Sequence, residues 1–218
     1  MIKKNYQVIL FDLDGVLTDP KEGITKSIQY ALSKLNIVEN NLDKLAKFIG
    51  PPLFHTFNTH YKFSEKMSWE AVKYYQERFS LEGLYENKVY DGVSELLKKL
   101  KASGKKIVLV SSKPAVYCNK IIEHFLLDMY FDKVIGPGLD LKNADKTNLV
   151  LQAINYLPEY KKEEFVMVGD RKHDIVGANN NGIDSIGVTY GFGSVQELKA
   201  TQPTYIINTI NDLERLFF

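Results

Sequence analysis

A single cysteine, Cys118, means that no disulfide can form within the chain, which suits a reducing compartment. No apolar stretch comes near the roughly 20 residues that cross a bilayer. The run behind the N-terminal lysines, Val8 to Phe11, is too short for a signal-peptide core. Neither sign of charge is in excess: 28 Lys and Arg meet 27 Asp and Glu, for a net +1, so no bulk field draws the chain to nucleic acid or an anionic membrane. Internal repeats and low-complexity tracts are missing too. These absences lead to the expectation of a cytoplasmic protein whose partner is neither nucleic acid nor membrane; oligomeric state is not readable from them. What remains is 218 residues, 44% hydrophobic and 25% charged, enough for one large domain or a medium domain carrying an insertion.

Short continuous apolar runs recur along the chain. Val8-Ile9-Leu10-Phe11 is followed at once by Asp12-Leu13-Asp14-Gly15. Ile107-Val108-Leu109-Val110 ends in Ser111-Ser112, and Phe165-Val166-Met167-Val168 in Gly169-Asp170. Ser185-Ile186-Gly187-Val188, Tyr205-Ile206-Ile207 and a weaker run near Val134-Ile135 complete the series. Such runs predict strands buried on both faces, as in a parallel sheet. Helical patterns lie between them. Val93, Leu96, Leu97 and Leu100 form an apolar stripe, with Lys98, Lys99 and Lys101 on the wet side, and residues 149–156 read the same way. Alternation of this kind predicts an α/β fold with right-handed crossovers.

One region breaks the rhythm. Between about Gly23 and Gly83 no buried strand is evident, and the spacing predicts four helices: Ile24 to Leu35, then 42–49 (stopped by Gly50-Pro51-Pro52), 53–61 and 67–79. This is a helical insertion, a candidate lid, with joints near 15–23 and 81–92. Its aromatics, among them Tyr30, Phe48, Phe54, Phe57, Trp69, Tyr74, Tyr75 and Phe79, are expected mostly in its own core.

In an open parallel sheet, ligands bind outside the carboxyl ends of the strands. Asp12 and Asp14 follow the first run, Ser111 and Ser112 the second, and Asp170 and Asp174 the fourth. Acids converging on one edge repel one another, which a cation among them relieves; with only oxygen ligands on offer the ion is hard, Mg²⁺ above all. Asp12 and Asp14 share a face of an extended segment, so one could attack phosphorus and the other protonate the leaving alkoxide and later deprotonate water. Gly15 lets the chain turn sharply. Lys146 opens a helix capped by Asn143 or Asp145, where a cation costs roughly 0.3–1 kcal/mol against the macrodipole, so another use is indicated. Asp174 could equally cap the helix running to Asn181-Gly182, and Ser111 could cap the helix after it. Lys113 could face the substrate, although such a lysine is more often solvated; His173 is expected at the surface, and Cys118 as a small apolar residue on a helix.

Together these segments resemble the four signatures of the haloacid dehalogenase (HAD) superfamily: Phe11-Asp12-Leu13-Asp14-Gly15-Val16-Leu17-Thr18-Asp19, then Val-Leu-Val-Ser-Ser-Lys-Pro with Ser111, then Lys146, then Gly169-Asp170-Arg171-Lys172-His173-Asp174. The resemblance covers essentially the whole chain. It implies an α/β, Rossmann-like HAD core with a parallel sheet (1–15 and 88–218) and an inserted helical cap of the first type, C1 (16–87). It implies a phosphatase in which Asp12 is nucleophile and Mg²⁺ ligand, and Asp14 is acid/base and offers its backbone carbonyl to the metal. Ser111, with Ser112 beside it, and Lys146 would hold the phosphoryl group, Asp170 would ligate the metal and Asp174 support it. The superfamily's dehalogenases lack a carboxylate at the place of Asp14. Gly50-Pro51-Pro52-Leu53 resembles the cap loop of phosphoglycolate phosphatase-like members. The expectation is therefore a Mg²⁺-dependent phosphatase of a small phosphorylated metabolite through an aspartyl-phosphate, phosphoglycolate phosphatase-like. A 5′-nucleotidase or pyrophosphatase is the alternative within the class, and a low-turnover phosphate-binding regulator or interaction protein the alternative outside it.

Overall fold

In the computed structural model, which describes residues 4–218, the chain opens with β1 (Val8–Phe11) and a short β2 (Thr18–Asp19). Four helices follow: α1 (Lys21–Lys34), α2 (Asp43–Ala46), α3 (Leu53–Thr59) and α4 (Glu65–Arg78). Then come β3 (Lys88–Val89), α5 (Val93–Ala102), β4 (Lys106–Val110), α6 (Ala115–His124), β5 (Lys133–Ile135) and α7 (Lys146–Tyr156). The last third is β6 (Phe165–Gly169), α8 (Lys172–Asn181), β7 (Asp184–Val188), α9 (Val195–Ala200), β8 (Tyr205–Ile207) and α10 (Ile210–Phe217).

Six strands form one parallel sheet in the order β5-β4-β1-β6-β7-β8. All four residues of β1 are buried, as a central strand covered on both faces requires. Alternate residues divide between the faces. Val8, Leu10, Val108, Val110, Phe165 and Met167 pack with Leu149, Val150 and Ala153 of α7 and Ala178 of α8. This is the Rossmann-like α/β architecture expected from the apolar runs.

The chain divides into two compact units: the segment up to Thr18 with Val89–Phe218, and Asp19–Lys88. Each chain crossing falls inside a two-residue strand, β2 or β3, and these two make a separate two-stranded sheet. Within Asp19–Lys88, α4 packs against α1 and α3. Ser64 caps α4, accepting from Met67 N at 3.3 Å. Arg78 binds Glu86 at 2.8 Å, and Lys26 adds a second bond to Glu86 at 2.9 Å.

Local structure departs from the periodicity at two helices. The stretch expected to be helical over 42–49 holds only one α-turn. Ahead of it Asn41 Oδ1 accepts from Asp43 N at 3.0 Å, and Phe48 and Ile49 bond three residues back, to Leu45 and Ala46, before Gly50 turns at φ 104°. The helix expected over 67–79 begins at Glu65 and passes after Arg78 into a π-turn, Phe79–Gly83. Of the aromatics singled out in the insertion, Phe48, Phe57, Tyr75 and Phe79 are buried, as is Phe63, whereas Tyr30, Phe54 and Tyr74 are half-buried and Trp69 is 41% exposed, its ring 4.5 Å from that of Phe54.

Candidate active site

Sheet register brings the candidate residues together. Phe11 lies level with Leu109 on one side and Val168 on the other. Asp12 is therefore one residue past that level, and Ser111 and Asp170 two, on three adjacent parallel strands ending at the same edge. Asp12, Ser111 and Asp170 are all buried. Asp12 Oδ1 accepts from Leu13 N at 2.8 Å, and Ser111 Oγ from Lys113 N at 3.3 Å. Ser111 therefore caps nothing; Pro114 occupies the N-cap of α6.

Lys146 is the first residue of α7, behind the N-cap Asp145, whose carboxylate accepts from Asn148 N at 3.2 Å. Its ammonium is buried against three oxygens: Val110 O at 2.9 Å, Asp12 Oδ1 at 3.2 Å and Asp174 Oδ1 at 2.8 Å. Burial works against that charge, but the Asp12 and Asp174 carboxylates outweigh it and hold the ammonium above the ordinary lysine range. Space for the stem comes from Gly177 on α8, where an added Cβ would lie 2.9 Å from Lys146 Cγ. The helix-start lysine that looked misplaced by the macrodipole thus has two carboxylates for partners.

Asp14 occupies the turn after β1, and Gly15 takes φ +81°, as a sharp turn there requires. Asp14 Oδ1 is 2.7 Å from Lys113 Nζ, with side chains only 10% and 7% exposed. The expectation of a solvated Lys113 is thereby corrected: the carboxylate it pairs with lies far off in sequence. Burial raises the Asp14 pKa, with Lys113 opposing. Ser112 donates its hydroxyl to Ala144 O at 3.0 Å, which ties the loop ahead of α7 rather than pointing to the carboxylates.

Asp170 Oδ2 accepts from Phe192 N at 2.7 Å, while Oδ1 is buried with no hydrogen-bond partner among the described residues. Asp174 is the third residue of α8, not its N-cap: it reaches back to Arg171 N at 3.1 Å, satisfying a donor at the helix start. Burial, then the charges of neighbouring acids, pushes Asp170 well above the carboxylate range; burial likewise takes Asp174 to about 6, against the pull of Lys146. His173, expected at the surface, is half-buried, and burial depresses its pKa. Cys118 is buried on α6, its thiol pushed up to about 12 by burial, so it is no nucleophile.

Asp12, Asp170 and Asp174 each offer an oxygen within 4.8 Å of the others. Four buried carboxylates, those three and Asp14, face two buried ammoniums, Lys113 and Lys146. The balance is two negative charges, which one divalent cation would cancel, and the bare Asp170 Oδ1 is an oxygen such an ion could use. The residues present therefore fit a hard divalent metal.

The sequence reading missed the loop after β7. Gly191-Phe192-Gly193 wraps Asp170 so tightly that a Cβ at Gly191 would lie 2.5 Å from Asp170 Cβ. Tyr190, before it, donates to Val16 O at 3.1 Å in the turn after Asp14. Two glycines flanking one residue just past a strand were the available signal. Arg171 and Glu197 were missed as well: Arg171 Nε and Lys172 N both donate to Glu197 Oε1 at 2.9 Å, fastening the start of α8 to α9.

The chain is 48% identical over 200 residues to a 5′-nucleotidase of Pseudomonas aeruginosa, covering 92% of this chain and 90% of that one. It superposes with a TM-score of 0.93 on the crystal structure of a predicted phosphatase from Clostridium acetobutylicum, at 45% identity and 97% coverage of both. More distant relatives carry the names tyrosine-protein kinase PtkA, phosphoglycolate phosphatase and pyrophosphatase. Residues 9–188 match the family model described as haloacid dehalogenase-like hydrolase, and with a parallel sheet that gathers Asp12, Lys146 and Asp170 at one edge, the chain belongs to that family of hydrolases.

Proposed function

We propose that this hydrolase is a Mg²⁺-dependent phosphatase that cleaves a small phosphate monoester through a phosphoaspartate on Asp12. The observation that carries the reading is the meeting of four buried carboxylates with two buried ammoniums at the carboxyl edge of the sheet. Asp12 Oδ1 is already bound by Leu13 N and Lys146, so Oδ2 is the attacking oxygen. As its bond to phosphorus forms, the bond to the leaving oxygen breaks, and Asp14 supplies that oxygen with a proton. Asp14 then takes a proton from water as the water oxygen attacks phosphorus and frees Asp12, releasing inorganic phosphate. Ser111 and Lys146 bind the phosphoryl oxygens. Asp12, Asp170 and the Asp14 carbonyl would hold the Mg²⁺, with Asp174 supporting it, and the ion would supply neutralisation of the transferring group.

For substrate, a nucleoside 5′-monophosphate is the first choice, supported by the 48% identity to a protein named 5′-nucleotidase. Phosphoglycolate, the expectation from Gly50-Pro51-Pro52-Leu53, keeps the weaker support of a relative of that name at 29% identity. The helical unit Asp19–Lys88 carries the choice of leaving group on this reading. Exchanging it for that of a phosphoglycolate-specific relative should move the preference while Asp12-dependent turnover persists; an unmoved preference would count against the assignment.

The test is phosphate release by purified protein with Mg²⁺ from nucleoside monophosphates, phosphoglycolate, sugar phosphates, pyrophosphate and phosphotyrosine, with Asp12→Asn as control. A 5′-nucleotide standing above the rest, and lost in the control, is the expected result. Preference for another ester keeps the chemistry and replaces the substrate. Folded, Mg²⁺-loaded protein with no turnover on any of them would favour a binding or regulatory role.

A further inference from the structure

Each acid of the Asp12–Asp14 pair has its own ammonium. Lys146 serves Asp12, and Lys113 serves Asp14 at 2.7 Å. The backbone of Lys113 is fixed from several sides. Its N–H donates to Ser111 Oγ at 3.3 Å, and its carbonyl accepts from Cys118 Sγ at 3.5 Å. Gly136, just beyond β5, approaches so closely that an added Cβ would lie 2.6 Å from that carbonyl oxygen. Pro114 follows, which restricts the residue before it. A lysine stem has four rotatable bonds, and here it is anchored at its base and buried along its length.

We infer that Lys113 is a positioning residue for Asp14, holding one carboxylate oxygen so that the other is presented to the departing oxygen of the substrate. This rests on the reading above that Asp14 is the acid and base of the reaction. With Oδ1 held, rotation of the carboxylate is stopped, and the proton travels on Oδ2 alone. That oxygen gives the proton to the leaving group in the first step and receives one from water in the second.

The leaving group supplies the test. A nitrophenolate departs without a proton, whereas an alkoxide needs one. Turnover of p-nitrophenyl phosphate and of the best alkyl phosphate from the screen would be measured for wild type, Lys113→Met, Lys113→Arg, Asp14→Asn and the double variant. Lys113→Met should lose at least about tenfold more kcat/KM on the alkyl ester than on the aryl ester, because that ratio reads only the step in which the leaving group departs, whereas hydrolysis of the phosphoaspartate is common to both. Lys113→Arg should recover part of the loss. In the Asp14→Asn background, Lys113→Met should cost nothing further, because its effect runs through Asp14. The double variant also removes the carboxylate that Lys113→Met would leave without its ammonium, so it is the one to use if Lys113→Met does not fold.

Equal losses of kcat/KM on both esters, or additive effects in the double variant, would each overturn the inference. If Asp14→Asn discriminates between leaving groups and Lys113→Met does not, only the role of Lys113 falls. If Asp14→Asn itself shows no discrimination, the acid–base reading fails and takes this inference with it.

Discussion

Replacing one carboxylate oxygen of Asp12 by an amide nitrogen keeps the shape of the side chain and removes the nucleophile proposed above. Asp12→Asn should lower kcat by about a thousandfold or more without changing the fold, checked by steady-state phosphate release and far-ultraviolet circular dichroism. Asp170→Asn should instead stabilise the metal-free protein at neutral pH, by about 1 kcal/mol or more, since it removes a buried charge beside two others while keeping an acceptor for Phe192 N. Chemical denaturation with chelator present reads this directly. The pH dependence follows from the raised carboxyls. Asp174 binds its proton up to about 6 in the folded state, against 3.8 ordinarily, so the folded chain holds more protons than the unfolded one between those values. Its contribution is full below about 4 and is lost as pH rises through about 6. Glu86, Asp132, Asp184 and Glu197, held low, act in the opposite sense, so the quantity to measure is the difference between wild type and Asp174→Asn in metal-free buffer. That difference should favour wild type more at pH 4 than at pH 7; a flat difference would contradict it. The acids at strand ends were legible because chain position alone puts them at the sheet edge. Lys113 was not, because its partner lies 99 residues away, and Phe192 was not, because a backbone N–H leaves no mark in a side-chain pattern.

Helices α7 and α8 meet where Gly177 faces Lys146. Gly177→Ala should help helix propensity slightly, yet the added carbon would press on the lysine stem. A net loss of about 1–3 kcal/mol is expected, with turnover reduced by displacement of the ammonium; a urea titration and kcat on one preparation check both. Glu197→Ala removes the acceptor shared by Arg171 and Lys172 N and should loosen the start of α8, weakening Mg²⁺ binding several-fold while leaving the sheet intact, as titration calorimetry would report. The strands were readable because a fully buried parallel strand is a bare apolar run; β5, half-buried, left the faintest trace. The second helix of the insertion was overread because Leu42, Leu45, Ala46 and Ile49 keep helical spacing, although the chain bonds three residues back after its one α-turn.

Over the whole molecule, a divalent ion that binds the folded site and not the unfolded chain must raise the melting temperature. Mg²⁺ at a hundred times its dissociation constant should add about 2.7 kcal/mol, reversed by chelator and absent in Asp170→Asn, as differential scanning calorimetry would show. The α/β class was legible from alternation, but strand order was not: apolar runs do not say that β1 lies between β4 and β6. That order has a consequence for biosynthesis. The strand carrying Asp12 leaves the ribosome first, and both its neighbours are made much later, β6 not until residue 169. Until β4 is made the nascent chain carries a fully apolar strand with both edges unpaired, and one edge stays open until β6, a species prone to mispairing and open to chaperones. No shortened product of translation that stops before Asp170 can assemble the carboxylate cluster, so the first moment of competence comes only after β6 has been made.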